Sequence, residues 1–381
     1  MSLTYDFYNP TTIHFGKGQV ASLPKHLTKE NKILVVYGGG SIKNNGVYNE
    51  IATALEGYDW LEFSGVEANP TYETMNKAVE LVRKEKVDFV LAVGGGSVID
   101  GCKYLVAASL YDGDGWDFLD GSAEVEKALP LGVVLTLPAT GSESNMASVL
   151  SRRETDEKRF FFSPCVFPKF AVLDASFMQT LSDRQLANGL VDAFVHICEQ
   201  YLTLPNSSLV HDGYAETLLK GLVKLANDWE NRNEPLWQEN LMLLANQALN
   251  GFIGSGVAQD WATHFIGHEL TAFYGIDHAQ SLAVVQPQLL RVMSSEKNEK
   301  LEQLGRNVFG VSGDAEDTIV LLENLYQSVG ISTNLNDYAN VDDKVLDNII
   351  PALEAHGMSA IGENGTITLE VSKQILTMTQ K

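Results

Sequence analysis

Two stretches of this chain share one design. KILVVY at residues 32–37 and DFVLAV at residues 88–93 are short, β-branched apolar runs, and each leads directly into three glycines and a serine. The first turn is Gly38-Gly39-Gly40-Ser41 and the second is Gly94-Gly95-Gly96-Ser97. A strand that is apolar along its whole length must be covered on both faces. That requirement points to a parallel sheet with helices on either side. Further runs of the same kind are expected at residues 131–137 and 170–173, with a weaker strand at 60–63 and a small edge strand and turn at 13–18. Between them, residues 71–85 carry Met75, Ala78, Val79 and Val82 at helical spacing, and residues 99–108 continue the second glycine turn as a helix.

The pattern changes near Thr180. Ser182 followed by Asp183 and Gln185 is a helix start with a capping side chain. Amphipathic stretches then follow at 183–202, 209–227, 234–252, 261–274, 294–309 and 315–329, with no convincing strand. The expected fold is an α/β domain over residues 1–180, built on a parallel sheet, and an all-helical domain over 181–381. A cleft between two such parts is the usual place for a ligand.

Glycines at the end of a strand let the backbone turn sharply and approach a phosphate. The helix that follows offers free N–H groups and the positive end of its dipole. A pyrophosphate at Gly95, Gly96 and Ser97 is the natural reading, although such turns also serve as plain corners. Neither turn is the G-x-G-x-x-G of the common dinucleotide fold, and neither ends in the G-K-[ST] of a nucleoside-triphosphate loop. After Tyr37 there is no acidic residue to hold a ribose 2′-hydroxyl, only Gly38 to Ser41. Small residues with N–H and hydroxyl donors accept a 2′-phosphate, so NADP(H) is favoured over NAD(H).

The second half concentrates side chains that bind metals. Asp192 and His196 are four apart on one helix face, and His264 and His268 repeat that spacing, with His278 shortly after. Each histidine alone also reads as a satisfied core residue. Asp192, His196, His264 and His278 together read as a site for one divalent ion, Fe²⁺ or Zn²⁺. Phe265 stands where a zinc protease would carry its glutamate base. An ion with an open position is a Lewis acid for a carbonyl or alcohol oxygen. Phe252, Trp261, Phe273 and Asn145 are candidates for an apolar substrate pocket, and core packing explains the aromatic residues equally well.

Composition excludes several alternatives. With 45% hydrophobic and 20% charged residues in 381, the chain can bury a large core. A formal net charge of −22 repels nucleic acid and anionic membranes. Three cysteines, Cys102, Cys165 and Cys198, lack any close pairing and fit a reducing compartment. The N-terminal residues lack a signal-peptide pattern, and there is no apolar run of membrane-spanning length. A cytoplasmic location is expected.

The motifs together resemble the iron-containing (group III) alcohol dehydrogenases along almost the whole chain, and more closely the butanol-dehydrogenase-like, NADPH-dependent aldehyde reductases. TIHFGKG, VVYGGGS, EANPTYET, LAVGGGSVIDGCK, LTLPATGSESN, NGLVDAFVHICEQY, GVAQDWATHFIGHELTAFYGIDHAQSLA and EAHGMSAIGENGTITLEV carry the likeness. The resemblance implies a Rossmann-like N-terminal domain of the dehydroquinate synthase type and hydride transfer between NADP(H) and a small aldehyde or alcohol. It also implies a homodimer. Asp192, His196, His264 and His278 match the metal ligands, and His268 matches a histidine near the nicotinamide. Gly95, Gly96, Ser97 and Asp100 match the pyrophosphate turn; Gly38, Gly40 and Ser41 match the adenosine-phosphate end. Asn69, Thr136, Leu137, Thr140 and Lys158 fall where this family lines ribose and nicotinamide. Two rivals are a dehydroquinate synthase-like lyase and a non-catalytic nucleotide-binding module. The lyase needs basic residues for a phosphorylated substrate, and residues 185–200 and 255–282 contain no Lys or Arg. The binding module leaves the Asp/His set unexplained.

Overall fold

The apolar runs form the interior of one parallel sheet. The computed structural model describes residues 3–155, 157–205 and 208–380. Strands β1 (Thr12–Phe15), β2 (Lys32–Tyr37), β3 (Asp59–Phe63), β4 (Phe89–Gly95), β5 (Leu131–Leu137) and β8 (Phe170–Leu173) lie in the order β1-β8-β5-β4-β2-β3, all parallel. The inner strands are buried along most of their length, while the edge strands β1 and β3 are half-exposed. Helices α1 (Val47–Ala54), α2 (Tyr72–Glu85), α3 (Gly96–Ala108) and the short α4 (Asp117–Asp120) belong to the same unit.

The strand order locates a ligand crevice. From β2 the chain moves outward to β3, then returns to place β4 on the other side of β2 and continues away through β5. The direction reverses between β2 and β4, which is where open α/β sheets bind ligands beyond the carboxyl ends of their strands. Tyr37 is registered with Val93, so both glycine turns leave the sheet side by side at that point. Gly95 is registered with Leu137, which brings the end of β5 to the same edge.

An antiparallel hairpin, β6 (Ala147–Arg152) with β7 (Glu157–Phe162), was not among the expected strands. Its buried positions are Ser148, Leu150 and Phe161 on one face and Lys158 on the other. Buried polar residues erase the alternation that marks a strand.

The helical unit comprises α5 (Asp183–Tyr201), α6 (Leu209–Asn227), α8 (Ala262–Tyr274), α9 (His278–Val292), α10 (Ser294–Leu304), α11 (Ala315–Ser328), α12 (Val345–Ala355) and α13 (Leu369–Met378). Ser182 and Gln185 form a reciprocal capping box at the start of α5, as the sequence indicates. From Leu186 onward nearly every α5 residue is buried, and α9 is buried from Ala279 to Leu290 except at Gln280. The expected helix over 294–309 ends its α-helical part at Leu304 and continues as a π-helical turn, Gly305–Phe309. A two-residue hairpin, β9 (Ala360–Ile361) with β10 (Ile367–Thr368), interrupts the otherwise helical half. Gly362 and Gly365, both at positive φ, make its turn.

Helix α7 (Pro235–Ala248) has a different allegiance. The chain divides into two compact units, one of Tyr8–Leu181 with Asn233–Asn246, the other of Met1–Phe7, Ser182–Arg232 and Gln247–Lys381. Most of α7 therefore belongs with the sheet. Asn246 donates to Glu143 Oε1 and Ser144 Oγ, both at 2.8 Å, and all three residues are buried. No helix among the described residues is long and apolar enough to cross a membrane.

Candidate active site

At the second glycine turn space excludes a Cβ on Gly94 and Gly96 and leaves little room for one on Gly95. A Cβ on Gly94 would stand 2.5 Å from Val98 Cγ2, one on Gly95 would stand 3.0 Å from Leu137 Cβ, and one on Gly96 would stand 2.6 Å from Thr140 Cγ2. The turn is thus pressed against β5 and the loop after it. Gly95 caps α3 without any side-chain hydrogen bond, which leaves the first-turn N–H groups available to an anion.

Three of the expected nucleotide-binding residues meet here. Asn69, a non-glycine residue at φ 56°, donates its N–H to Ser97 Oγ at 3.3 Å. Its side-chain oxygen accepts from Lys158 Nζ at 3.0 Å. Lys158 is buried on β7, on the face opposite Phe161. Thr136 and Leu137 end β5, and Thr140 follows. Asp100 lies one turn into α3, but its carboxylate accepts from Ser142 Oγ at 2.5 Å and Val149 N–H at 3.2 Å. It braces the loop after β5.

Lys103, absent from the expected set, is the hub of that brace. Fully buried, it donates to Ser142 Oγ at 2.8 Å and to Asn145 Oδ1 and the Ala147 carbonyl, both at 2.7 Å. Burial pushes its ammonium down to about 8, against the pull of Asp100 and Glu143. Its position three residues after Asp100 on one helix face was the available signal.

The first glycine turn is roomier. A Cβ on Gly38 would stand 3.2 Å from the Val66 carbonyl, Gly39 has open space, and Gly40 holds φ +94° ahead of Ser41. Near it is a second cluster that the sequence reading missed. Glu62 accepts from Tyr37 Oη and Tyr48 Oη, both at 2.5 Å, and pairs with Lys43 Nζ at 2.8 Å. Burial raises the Glu62 carboxyl, but Lys43, Tyr37 and Tyr48 outweigh it and hold it at about 2.

In the helical unit Asp192, His196 and His264 are brought together, and His278 stands beside Asp192. Asp192 and His196 come from α5, His264 from the first turn of α8, and His278 begins α9 behind its cap, Asp277. One donor atom each from Asp192, His196 and His264 lie within 4.8 Å of one another. Asp192 Oδ1 stands 3.7 Å from His196 Nδ1 and 3.7 Å from His278 Nε2. Two donors about 2.1 Å from one tetrahedral ion stand about 3.4 Å apart, so these separations fit a shared cation. Asp192 Oδ1 and His196 Nδ1 are both buried without a hydrogen-bond partner, an arrangement proteins avoid unless something else satisfies those atoms. Burial lowers the His196 imidazole to about 4, so at neutral pH it carries the lone pair a ligand needs.

His268 lies one turn beyond His264 with its ring 5.1 Å from that of His278, outside the three-residue group. Trp261 packs 5.2 Å from the His264 ring. Of the other pocket candidates, Phe252 packs on Phe7, His211 and Tyr214, Phe273 is exposed, and Asn145 is bonded to Lys103.

Comparisons with known proteins agree along the full length. Residues 10–175 match the profile of the iron-containing alcohol dehydrogenases, and residues 186–378 match that of the C-terminal part of the same family. The NADPH-dependent aldehyde reductase YqhD of Escherichia coli is 46% identical over 97% of this chain and 98% of its own. A probable NADH-dependent butanol dehydrogenase of Bacillus subtilis is 40% identical over 93% and 94%. The crystal structure of E. coli YqhD superimposes with a TM-score of 0.97 over 99% of both chains, at 45% identity. That of NADH-dependent butanol dehydrogenase A from Thermotoga maritima gives 0.94 over 100% of this chain and 99% of that one, at 34% identity. A parallel sheet reversing between two glycine turns, a helical unit with a buried Asp/His group and relatives matched end to end lead to one assignment: the chain belongs to the iron-containing alcohol dehydrogenase family.

Proposed function

We propose that this enzyme is an NADPH-dependent reductase of small aldehydes, able to run in reverse on primary alcohols, with one divalent ion, iron or zinc, held by Asp192, His196, His264 and His278. The observation that carries this reading is the pair of buried, unpartnered donors Asp192 Oδ1 and His196 Nδ1 facing each other at 3.7 Å. When bound, the ion supplies Lewis-acid polarisation of a carbonyl oxygen and the reduced nicotinamide supplies the hydride.

The chain's own residues do the rest. Asp192 contributes a carboxylate oxygen to the ligand set, and the three histidines contribute one ring nitrogen each. Side chains of Asp192, His196 and His264 are at most 8% exposed, whereas His278 is 23% exposed, so a carbonyl compound approaches from the His278 side. His268, beside His278, hands on the proton that the product oxygen takes up. In the other unit the N–H groups of Gly96 and Ser97 hold the pyrophosphate, with Gly94, Gly95 and Asp100 shaping the turn. Asn69, Thr136, Leu137, Thr140 and Lys158 serve the ribose and nicotinamide. Gly38 to Ser41 receive the adenosine 2′-phosphate.

NADH use is the second reading, favoured by the NADH-dependent names of several relatives. The lyase and binding-module alternatives gain nothing from the family assignment. A second copy of the chain is the expected partner: the helical unit leaves Leu209 and Val210 89% and 64% exposed, with Leu3, Tyr5, Phe7 and Leu204 also exposed. Three cysteines without a disulfide fit the cytoplasm.

The test is oxidation of NADPH and, separately, NADH with butanal, before chelation, after it and after restoring Fe²⁺ or Zn²⁺. Metal-restorable oxidation with NADPH faster than NADH is expected. Faster NADH oxidation overturns the cofactor preference. Turnover that survives both His264→Ala and His278→Ala overturns the ligand set.

A further inference from the structure

Glu199 lies on α5 one turn beyond His196, so Asp192, His196 and Glu199 share a helix face. Its side chain is 4% exposed. A buried carboxylate is strongly disfavoured unless it is bonded, and this one is bonded entirely to the start of α8. Oε1 accepts the Thr263 N–H at 2.7 Å and the His264 N–H at 3.4 Å. Oε2 is hydrogen-bonded to His264 Nδ1. Trp261, the residue before α8, supplies no side-chain cap, so a carboxylate from the neighbouring helix takes that place and meets the positive end of the α8 dipole.

We infer that Glu199 is the positioning residue of the metal centre: it holds the His264 proton on Nδ1, fixes the ring, and thereby presents Nε2 to the ion. This rests on the reading of His264 as a ligand. An imidazole that binds through one nitrogen carries its proton on the other, and the acceptor for that proton sets the tautomer. The same carboxylate ties α8 to α5, across which the His196 and His264 rings stand 4.6 Å apart. Nothing in the spacing of the four ligands requires a fifth residue, yet Glu199 controls two of the three elements that carry them.

Glu199→Gln tests the assignment. Glutamine can accept the Thr263 N–H, but its amide NH₂ then faces His264 Nδ1. The ring must respond by moving its proton to Nε2, which closes the nitrogen meant for the ion. The dissociation constant for Zn²⁺, measured by competition with a chromophoric chelator, is expected to rise 10–100-fold. Excess Zn²⁺ is expected to restore turnover, and NADPH affinity in the sheet unit is expected to stay at the wild-type value. A wild-type Zn²⁺ constant in Glu199→Gln, alongside lost binding in His264→Ala, overturns this inference and leaves the ligand set intact. Wild-type Zn²⁺ binding in His264→Ala overturns the ligand set itself. A loss of turnover that excess Zn²⁺ does not restore overturns the positioning role in favour of a structural one. Should Glu199→Gln not fold, histidine ¹⁵N chemical shifts of the Zn²⁺-loaded wild type decide: a proton on His264 Nδ1 is expected, and coordination through Nδ1 overturns the inference.

Discussion

Replacing Gly96 by alanine tests the close approach at the second glycine turn. The added Cβ would stand 2.6 Å from Thr140 Cγ2, where carbon atoms in contact prefer about 3.5–4.0 Å. The turn and the loop after β5 must therefore separate by about 1 Å. Thr140 Oγ also accepts the Ser142 N–H at 3.2 Å, so the loop resists the shift. Overpacking of this kind costs about 1–3 kcal/mol. If that cost falls on the cofactor-competent form of the turn, NADPH affinity drops roughly 5–150-fold. Removing the opposing atoms in Gly96→Ala/Thr140→Ala should return part of the loss, since only the Thr140 Cβ, 3.1 Å from the new methyl, remains close. Urea unfolding and NADPH fluorescence titration of the two single variants and the double variant complete the cycle. Additive effects, or an unperturbed Gly96→Ala, would refute the argument that this glycine exists to clear Thr140.

Three other outcomes are expected. Lys103→Met removes the donor to Ser142, Asn145 and Ala147 and leaves Asp100 without its cation, so urea unfolding should show a loss of about 3–5 kcal/mol. For Glu62, the folded carboxyl at about 2 lies below its ordinary 4.5. Its stabilisation is full above pH 4.5 and fades as pH falls towards 2. With partial exposure reducing the roughly 3 kcal/mol that the shift alone implies, Glu62→Gln should cost about 1 kcal/mol at pH 7. Wild type and variant should converge near pH 2–3, and a gap that widens on acidification contradicts the assignment. Asn246→Leu strips a buried donor from Glu143 and should lower stability by about 1–3 kcal/mol, measured as a shift of the urea midpoint.

What the sequence revealed follows from how locally each feature is encoded. β2 and β4 announce themselves because an apolar run and its glycine turn are contiguous. Asp192 with His196, and His264 with His268, are visible because one helical turn separates each pair. α9 escaped because it is buried nearly all round and contains Pro287, so it has neither a polar face nor an uninterrupted pattern. His278 consequently read as a residue after α8, when Asp277 in fact caps a new helix at that point. Glu62 and Lys43 meet only because β3 lies beside β2, which no local pattern reports. Glu199 resembles any solvated helix glutamate until α8 is laid against α5. The hairpin β6–β7 hid among charges, one of which, Lys158, is buried.

The membership of α7 in the sheet unit bears on how the protein is made. A ribosome that has finished Leu181 has delivered every strand of the sheet, yet Glu143 still lacks Asn246. At roughly 5–20 residues per second, the missing helix arrives roughly 3–13 s later, after α5 and α6 have been synthesised. Through that interval the sheet unit lacks the helix that donates to Glu143. Exchange of domains meets the same discontinuity: a cut at Leu181 transfers the sheet without Asn233–Asn246.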